Sequence, residues 1–327
     1  MTLVPTMVHP ARVMARSGHT AAPESILVPL RGPRGEPVDL WRTLASHGFH
    51  DLAPAALDEQ AHTLGLTLRM PRGKPRRVTV AQGPRRNAVV TVAGSPPSAA
   101  ARASIAAQMA RVLHLDHDLS GFYAIAAEDP DLAWTTAGAG RMLRSPTVWE
   151  DVVKTLCTTN CSWGLTVAMV RALVTSLGEP PLGSRDPLHA AFPTPEAMAQ
   201  QNERFYREVV RSGYRAPSFV RLASIVATGE LDLEALGGAT REERPDAEVE
   251  EALLALPGIG PYAAAHVMMT LGRNSKLILD SWTRPTYARL SGARRQPTDA
   301  QIQRRFRRYG PEAGLAFWLF VTSDWVA

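Results

Sequence analysis

The residues best suited to chemistry cluster in one short stretch, Ala255-Leu-Pro-Gly-Ile-Gly-Pro-Tyr262. Residues 247–256 before it carry apolar side chains at helical spacing and stop at Pro257. Pro261 suits the first turn of a second helix, where its missing N–H would have no partner anyway. Between the two, Gly258-Ile259-Gly260 must reverse the chain, and glycine permits both positive φ and the close approach of another backbone. The predicted helix–hairpin–helix, over 247–272, presents bare N–H groups at the positive end of a helix. That is an anion site, and a phosphodiester fits it. A plain helical hairpin with a glycine turn would use the same two glycines.

Charge points the same way. Lys and Arg number 36 against 31 Asp and Glu, a net charge of +5. The excess is clustered in Arg72-Gly-Lys-Pro-Arg-Arg77, Gly83-Pro-Arg-Arg86, Arg294-Arg295 and Arg304-Arg-Phe-Arg-Arg308. Any one cluster reads as solvated surface; several together favour a polyanionic partner.

The elements that must position these residues follow from composition and period. With 327 residues, 45% hydrophobic and 20% charged, the chain can bury a sizeable core. No apolar run is long enough to span a membrane, so no membrane partner is expected. Two cysteines exclude a disulfide scaffold, and structural zinc or iron–sulfur sites need more ligands. Cys157 and Cys161, four apart and read as lying on one helix, are expected to be reduced and packed, as in a cytoplasmic protein. Neither a metal nor another cofactor is expected. Residues 1–25 read as a loose tail, with a mitochondrial-type presequence as the alternative. Within 26–98, the β-branched, alternating segments 64–69, 77–81 and 87–92 are separated by turn residues and predict a small antiparallel sheet. From residue 99 the pattern is helical, with segments at 99–113, 149–177, 196–211, 219–228, 247–256, 261–271, 298–309 and 312–325. The fold class is therefore mostly α. It divides into a tail (1–25), an N-terminal antiparallel β domain (26–98) and a helical body (99–327).

Leu256-Pro-Gly-Ile-Gly260, followed twenty residues on by Leu279-Asp280, resembles the helix–hairpin–helix–Gly/Pro–Asp superfamily of DNA glycosylases. Residues 143–160 are similar to the core helix of its 8-oxoguanine branch, and Ser212-Gly-Tyr-Arg-Ala216 to that branch's Gly-Tyr-Arg-Ala segment. Ala313-Gly314 and Asp324 also fit. An N-terminal sheet domain occurs both there and in the 3-methyladenine branch. The likeness spans most of residues 38–325, and the hairpin with Asp280 is its specific part.

The resemblance implies hydrolysis of an N-glycosidic bond in double-stranded DNA carrying a modified base, by a monomer. The base leaves the stack to be reached, and the sugar passes through an oxocarbenium-like state. Asp280 matches the catalytic carboxylate that stabilises this cation and orients water; capping a following helix is its structural alternative. Bifunctional members carry a Schiff-base lysine where this chain has Tyr262, and a phenol cannot form an imine. A glycosylase without lyase activity is expected. Asn160 matches a residue that fills the gap left by the flipped nucleotide; a helix-interior asparagine with a local hydrogen bond is the alternative. DNA contacts are expected at Gly258, Ile259, Gly260 and Tyr262 through the backbone, and at Thr283, Arg284 and Arg215. In the last helix the position of the family's base-reading glutamine falls on Phe317, with Val321 one turn on. A base pocket of Phe317, Val321, Tyr262, Trp282 and Trp163 would stack a base, a cationic alkylated purine included. Core packing would account for any one of these aromatics. Two other readings stand beside the enzyme: a non-catalytic DNA-binding or damage-sensing module that retains the hairpin, and a helical protein whose hairpin binds a partner.

Overall fold

The computed structural model describes residues 24–325; the expected tail lies almost wholly outside the described residues. Five strands, β1 (Ser25–Pro29), β2 (Ala56–Asp58), β3 (Thr63–Leu68), β4 (Arg76–Gln82) and β5 (Asn87–Val92), form one antiparallel sheet in the order β1-β5-β4-β3-β2. Sequence patterning locates the three central strands. The edge strands β1 and β2 escape it, because three to five residues with few buried side chains leave little period to read. Register pairs Leu66 with Val78 and Val80 with Val90. One face of the sheet, including Val28, Leu66, Val80 and Val90, is buried.

A short helix α1 (Leu40–Leu44) precedes β2, and α2 (Ala99–Val112) follows β5. Ile105, Met109 and Val112 of α2 pack on the buried sheet face, so the core of the sheet extends past residue 98 into the first long helix. The body continues with α3 (Ser120–Ala126), α4 (Val148–Thr158), α5 (Trp163–Leu177), α6 (Pro195–Ala199), α7 (Glu203–Glu208), α8 (Ala216–Ala227) and α9 (Leu233–Gly238). It ends with α10 (Asp246–Leu254), α11 (Pro261–Thr270), α12 (Thr283–Leu290), α13 (Asp299–Phe306) and α14 (Ala313–Val321).

The single helix expected over 149–177 is two. Thr147 caps α4 and Ser162 caps α5, each accepting from the backbone three residues on, and a turn at 159–162 separates them. Cys157 therefore lies in α4 and Cys161 in the turn, not on one helix. Asparagine, serine and threonine in that turn offer the backbone alternatives to helix, which apolar period alone does not register.

The body has two apolar cores. One gathers α4, α5, α8 and α10; the other gathers α3, α12, α13 and α14. Helix α11 lies between them: Ala263, Ala264, Val267 and Met268 face the first, Met269 the second. Buried polar bonds join sheet to body. Arg141 pairs with Glu36 at 3.0 Å, and the Thr67 hydroxyl donates to the His189 carbonyl at 2.7 Å. Among the described residues no helix is long and apolar enough to cross a membrane.

Candidate DNA-binding and catalytic cleft

The hairpin forms as its residue types demand. Helix α10 ends near Ala255, and Ile259 N–H donates to the Leu256 carbonyl at 3.1 Å to close the turn. Ile259 is buried in the first core and anchors the loop, so only its backbone is left for a ligand. Burial of a side chain of this size stabilises by about 1.5–3 kcal/mol. Gly258 has φ +81, and a Cβ there would come within 2.7 Å of Ser218 Oγ and 2.9 Å of Leu156 Cδ1. Dihedral and space both require glycine. Gly260 differs: its φ of −99 suits any residue, and a Cβ added there would meet no atom within 4 Å. Its missing side chain leaves open surface at the start of α11, where the N–H groups of Tyr262 and Ala263 have no intrahelical acceptor. Pro261 occupies the first helical position, as expected.

Asp280 lies on the same cleft. A cavity of about 640 Å³ is lined by Asn160, Tyr214, Gly258, Gly260, Tyr262 and Asp280, with Thr158, Thr159, Cys161, Pro261, Ala263 and Ser281 beside them. Asp280 Oδ1 accepts from the N–H groups of Trp282 at 2.8 Å and Thr283 at 2.7 Å. The Thr283 hydroxyl accepts from Asp280 N–H at 2.8 Å and donates to the Ile278 carbonyl at 2.8 Å. The carboxylate thus caps the start of α12 through one oxygen, while Oδ2 has no donor among the described residues. The capping alternative is realised, and it leaves an oxygen free for other chemistry.

Tyr262 stands beside this carboxylate. Burial and then the Asp280 charge push its phenol above the ordinary range, partly offset by a hydrogen bond with Thr158. It is protonated at neutral pH. One turn further along α11, burial pushes the His266 imidazole down to about 4, despite the opposing pull of Asp280. Its ring meets Tyr262 edge-on at 4.5 Å and Trp318 edge-on at 6.2 Å.

Asn160 sits exposed in the α4–α5 turn at φ +45, a left-handed conformation that asparagine tolerates, rather than inside a helix. Its side chain donates to the Tyr214 hydroxyl at 3.2 Å. Tyr214, 62% exposed, shares the cleft rim. Residue types and spacing alone do not mark it as a site residue; its place in the Ser212–Ala216 segment is the one signal that could.

Several expected positions are corrected. Arg215 is buried: its guanidinium binds the Thr159 carbonyl and hydroxyl and the Ser212 carbonyl, so it holds the Asn160 turn from beneath instead of reaching DNA. Thr283 is fully buried and serves Asp280, not a phosphate. Phe317 and Val321 are fully buried in the second core, where Phe317 packs edge-on against Phe306, so they line no pocket. Trp318, one position along, is buried in the same core. Its indole N–H donates to the Ser46 carbonyl at 2.9 Å, and its ring lies 6.1 Å from Trp282. Trp163 packs over Gly48, where a Cβ would meet its ring at 2.5 Å, and is absent from the cleft lining. Arg284 is solvent-facing but paired with Asp299 through two bonds of 2.8 and 3.0 Å. Tyr262, expected in the base pocket, lines the cleft; Trp282, also expected there, is not among the lining residues and packs instead against Trp325 at 5.3 Å.

A separate cavity of about 430 Å³ lies between sheet and body, bordered by Arg69, Trp149, Phe192 and Glu234. Its polar groups are already committed: Glu234 accepts from the Val148 and Trp149 N–H groups, and Glu150 pairs with Lys154 at 2.6 Å. Among the described residues no group of three or more His, Cys, Asp and Glu could hold a metal ion.

No protein-family model matches the sequence, and no curated protein matches it. Solved structures do. A structure of MBOgg1 in complex with a low-affinity DNA ligand aligns at 19% identity over 91% of this chain and 94% of that one, with a TM-score of 0.67. A 3-methyladenine DNA glycosylase from Archaeoglobus fulgidus aligns at 19% identity over 93% and 99%, TM-score 0.68. The apo form of an 8-oxoguanine glycosylase/lyase from Clostridium acetobutylicum aligns at 17% identity over 87% and 92%, TM-score 0.65. These alignments cover nearly the whole length, and the chain has the fold of the helix–hairpin–helix DNA glycosylases.

Proposed function

We propose that the protein is a DNA glycosylase that flips an alkylated or oxidised base out of duplex DNA and hydrolyses its N-glycosidic bond with water, as a monomer and without cutting the strand. One observation carries this reading: Asp280, fixed through Oδ1 with Oδ2 unclaimed among the described residues, lines the same cleft as the bare start of α11. The N–H groups at Gly260 and Tyr262 would hold a phosphate and set the register of the duplex. Asn160 and Tyr214, on the rim, would fill the space the flipped nucleotide leaves. The Asp280 carboxylate would then stabilise the oxocarbenium-like sugar and orient the attacking water. Tyr262 supports a water mechanism, because it stands where a Schiff-base lysine would be needed and offers no amine.

The test is a panel of duplexes, each with one modified base, assayed for base release with and without alkali. Alkali-dependent breaks at one or a few lesions are expected. Breaks without alkali would refute the water-only mechanism; release from none of the duplexes would refute the enzyme and favour a binding module.

A further inference from the structure

Resting on the reading of a DNA enzyme, we propose that Lys276, Arg304 and Arg307 form a second contact for the DNA backbone, separate from the cleft. The basic run 304–308 splits by helical period into two faces. Arg305 and Arg308, three apart, both turn to Asp129, which is 1% exposed. Arg305 reaches its Oδ1 at 2.9 Å, and the Tyr309 hydroxyl donates to its Oδ2 at 2.7 Å. These bonds fasten the end of α13 to the loop after α3. Arg304 and Arg307, also three apart, instead line an open cavity of about 500 Å³ together with Lys276 and Gln303. Both arginines are exposed, and among the described residues neither makes an ion pair or a side-chain hydrogen bond. Lys276 lies 3.1 Å from Glu250 and stays half-exposed. Among the described residues no carboxylate lines the cavity.

Three cations on one concave surface repel one another and raise the local concentration of anions. A structural role would bring a carboxylate, as Asp129 does for the other two arginines. The ligand that fits is a row of phosphates: a guanidinium fork matches phosphate oxygens, and the Gln303 amide offers a further donor. Position supports a phosphodiester backbone in particular. Lys276 and Asp280 are four positions apart, at most about 14 Å of chain. A B-DNA strand carries a phosphate about every 3.4 Å of axis, so that distance matches about four base pairs. Helix α13 itself starts beside the cleft, where Asp299 accepts from Arg284 at 2.8 Å. The cavity shares no lining residue with the cleft, so its contact adds to the hairpin's instead of repeating it. The phosphates come either from the flank of the bound duplex or from a second duplex.

The experiment compares wild type with two double variants, Arg304→Ala/Arg307→Ala and Arg304→Lys/Arg307→Lys. Affinity and stoichiometry are measured over a range of salt on a duplex of about 30 base pairs with a central base-free tetrahydrofuran site. The alanine pair is expected to shrink the slope of log affinity against log salt by about two, and to weaken binding roughly tenfold or more at about 0.1 M salt. The lysine pair keeps both charges and is expected to keep the slope. One duplex per protein, with the slope reduced in the alanine pair, assigns the phosphates to the flank of the bound duplex. Two per protein, the second lost in the alanine pair, assigns them to a second duplex. Unchanged slope and stoichiometry in the alanine pair would overturn the proposal, and so would equal losses by the alanine and lysine pairs. A urea midpoint lowered in the alanine pair would overturn it too, by showing a structural role. Binding needs no base release, so a wild type that binds duplex but releases no base refutes the glycosylase reading alone and leaves this site standing.

Discussion

Asp280 and Thr283 hold each other through two reciprocal hydrogen bonds, Asp280 N–H to Thr283 Oγ1 at 2.8 Å and Thr283 N–H to Asp280 Oδ1 at 2.7 Å. The pair fixes the carboxylate while consuming only one of its oxygens. Thr283→Val keeps the shape but removes the hydroxyl that accepts from Asp280 N–H. Base release should slow about tenfold from misplacement of the carboxylate, with binding to a base-free duplex unchanged. Single-turnover kinetics beside a binding titration checks this; a loss confined to binding would contradict the positioning role.

The two hairpin glycines separate folding from binding. Gly258→Ala forces a Cβ into a left-handed φ and against Ser218 and Leu156, so the urea midpoint should fall by the equivalent of about 1–3 kcal/mol. Gly260→Val places its Cβ where it meets no atom within 4 Å and at an unrestricted φ. It should leave the urea midpoint within about 0.5 kcal/mol of wild type and weaken binding to all duplex sequences alike. A change in lesion preference without a loss of affinity would contradict the phosphate contact.

Arg215 and Arg284 should behave oppositely although both are arginines beside the cleft. Arg215→Ala removes buried bonds to Thr159 and Ser212, so stability should drop by about 2–3 kcal/mol, and the Asn160 turn should loosen. Arg284→Ala loses only an exposed pair with Asp299 and should leave the melting temperature within a degree or two. If Arg284 also meets a phosphate, the slope of log affinity against log salt should shrink by about one.

Acid should destabilise the fold through His47, His114 and His266, whose imidazoles burial depresses. Burial depresses His47 to about 3 and His266 to about 4, from an ordinary value of 6.5. A depressed imidazole favours the neutral folded form. The stability it contributes is complete above pH 6.5 and is lost as pH falls from 6.5 towards 4 and 3. Each histidine contributes a loss approaching ~1.4 kcal/mol per pH unit in that window. Urea midpoints measured from pH 7 to 4 should fall, and His47→Gln should flatten the fall; equal slopes in the two proteins would contradict it.

Features with local causes are legible in the sequence. The hairpin is readable because Pro257 and Pro261 admit few conformations and Gly258 admits the positive φ that other residues avoid, and the central strands because β-branched residues alternate over six or seven positions. Asp280 is readable only through the family resemblance that the hairpin and the residue twenty positions on carry together. Which face of a side chain meets the cleft is not. Phe317 and Val321 read as pocket residues by position alone, but the whole run Leu315–Val321 is apolar and packs into the second core. Arg215 reads as a DNA contact because exposed and buried arginines look alike in sequence, and its true partner, Thr159, lies 56 residues away.

The central claim is that the Asp280 carboxylate performs the chemistry while the hairpin holds the DNA. Asp280→Asn retains an oxygen to cap α12 but removes the charge. Measured side by side, its base release from the preferred lesion duplex should fall by at least about 10²–10³-fold, while its affinity for a base-free duplex stays within a few-fold of wild type. Full release by Asp280→Asn would contradict the account.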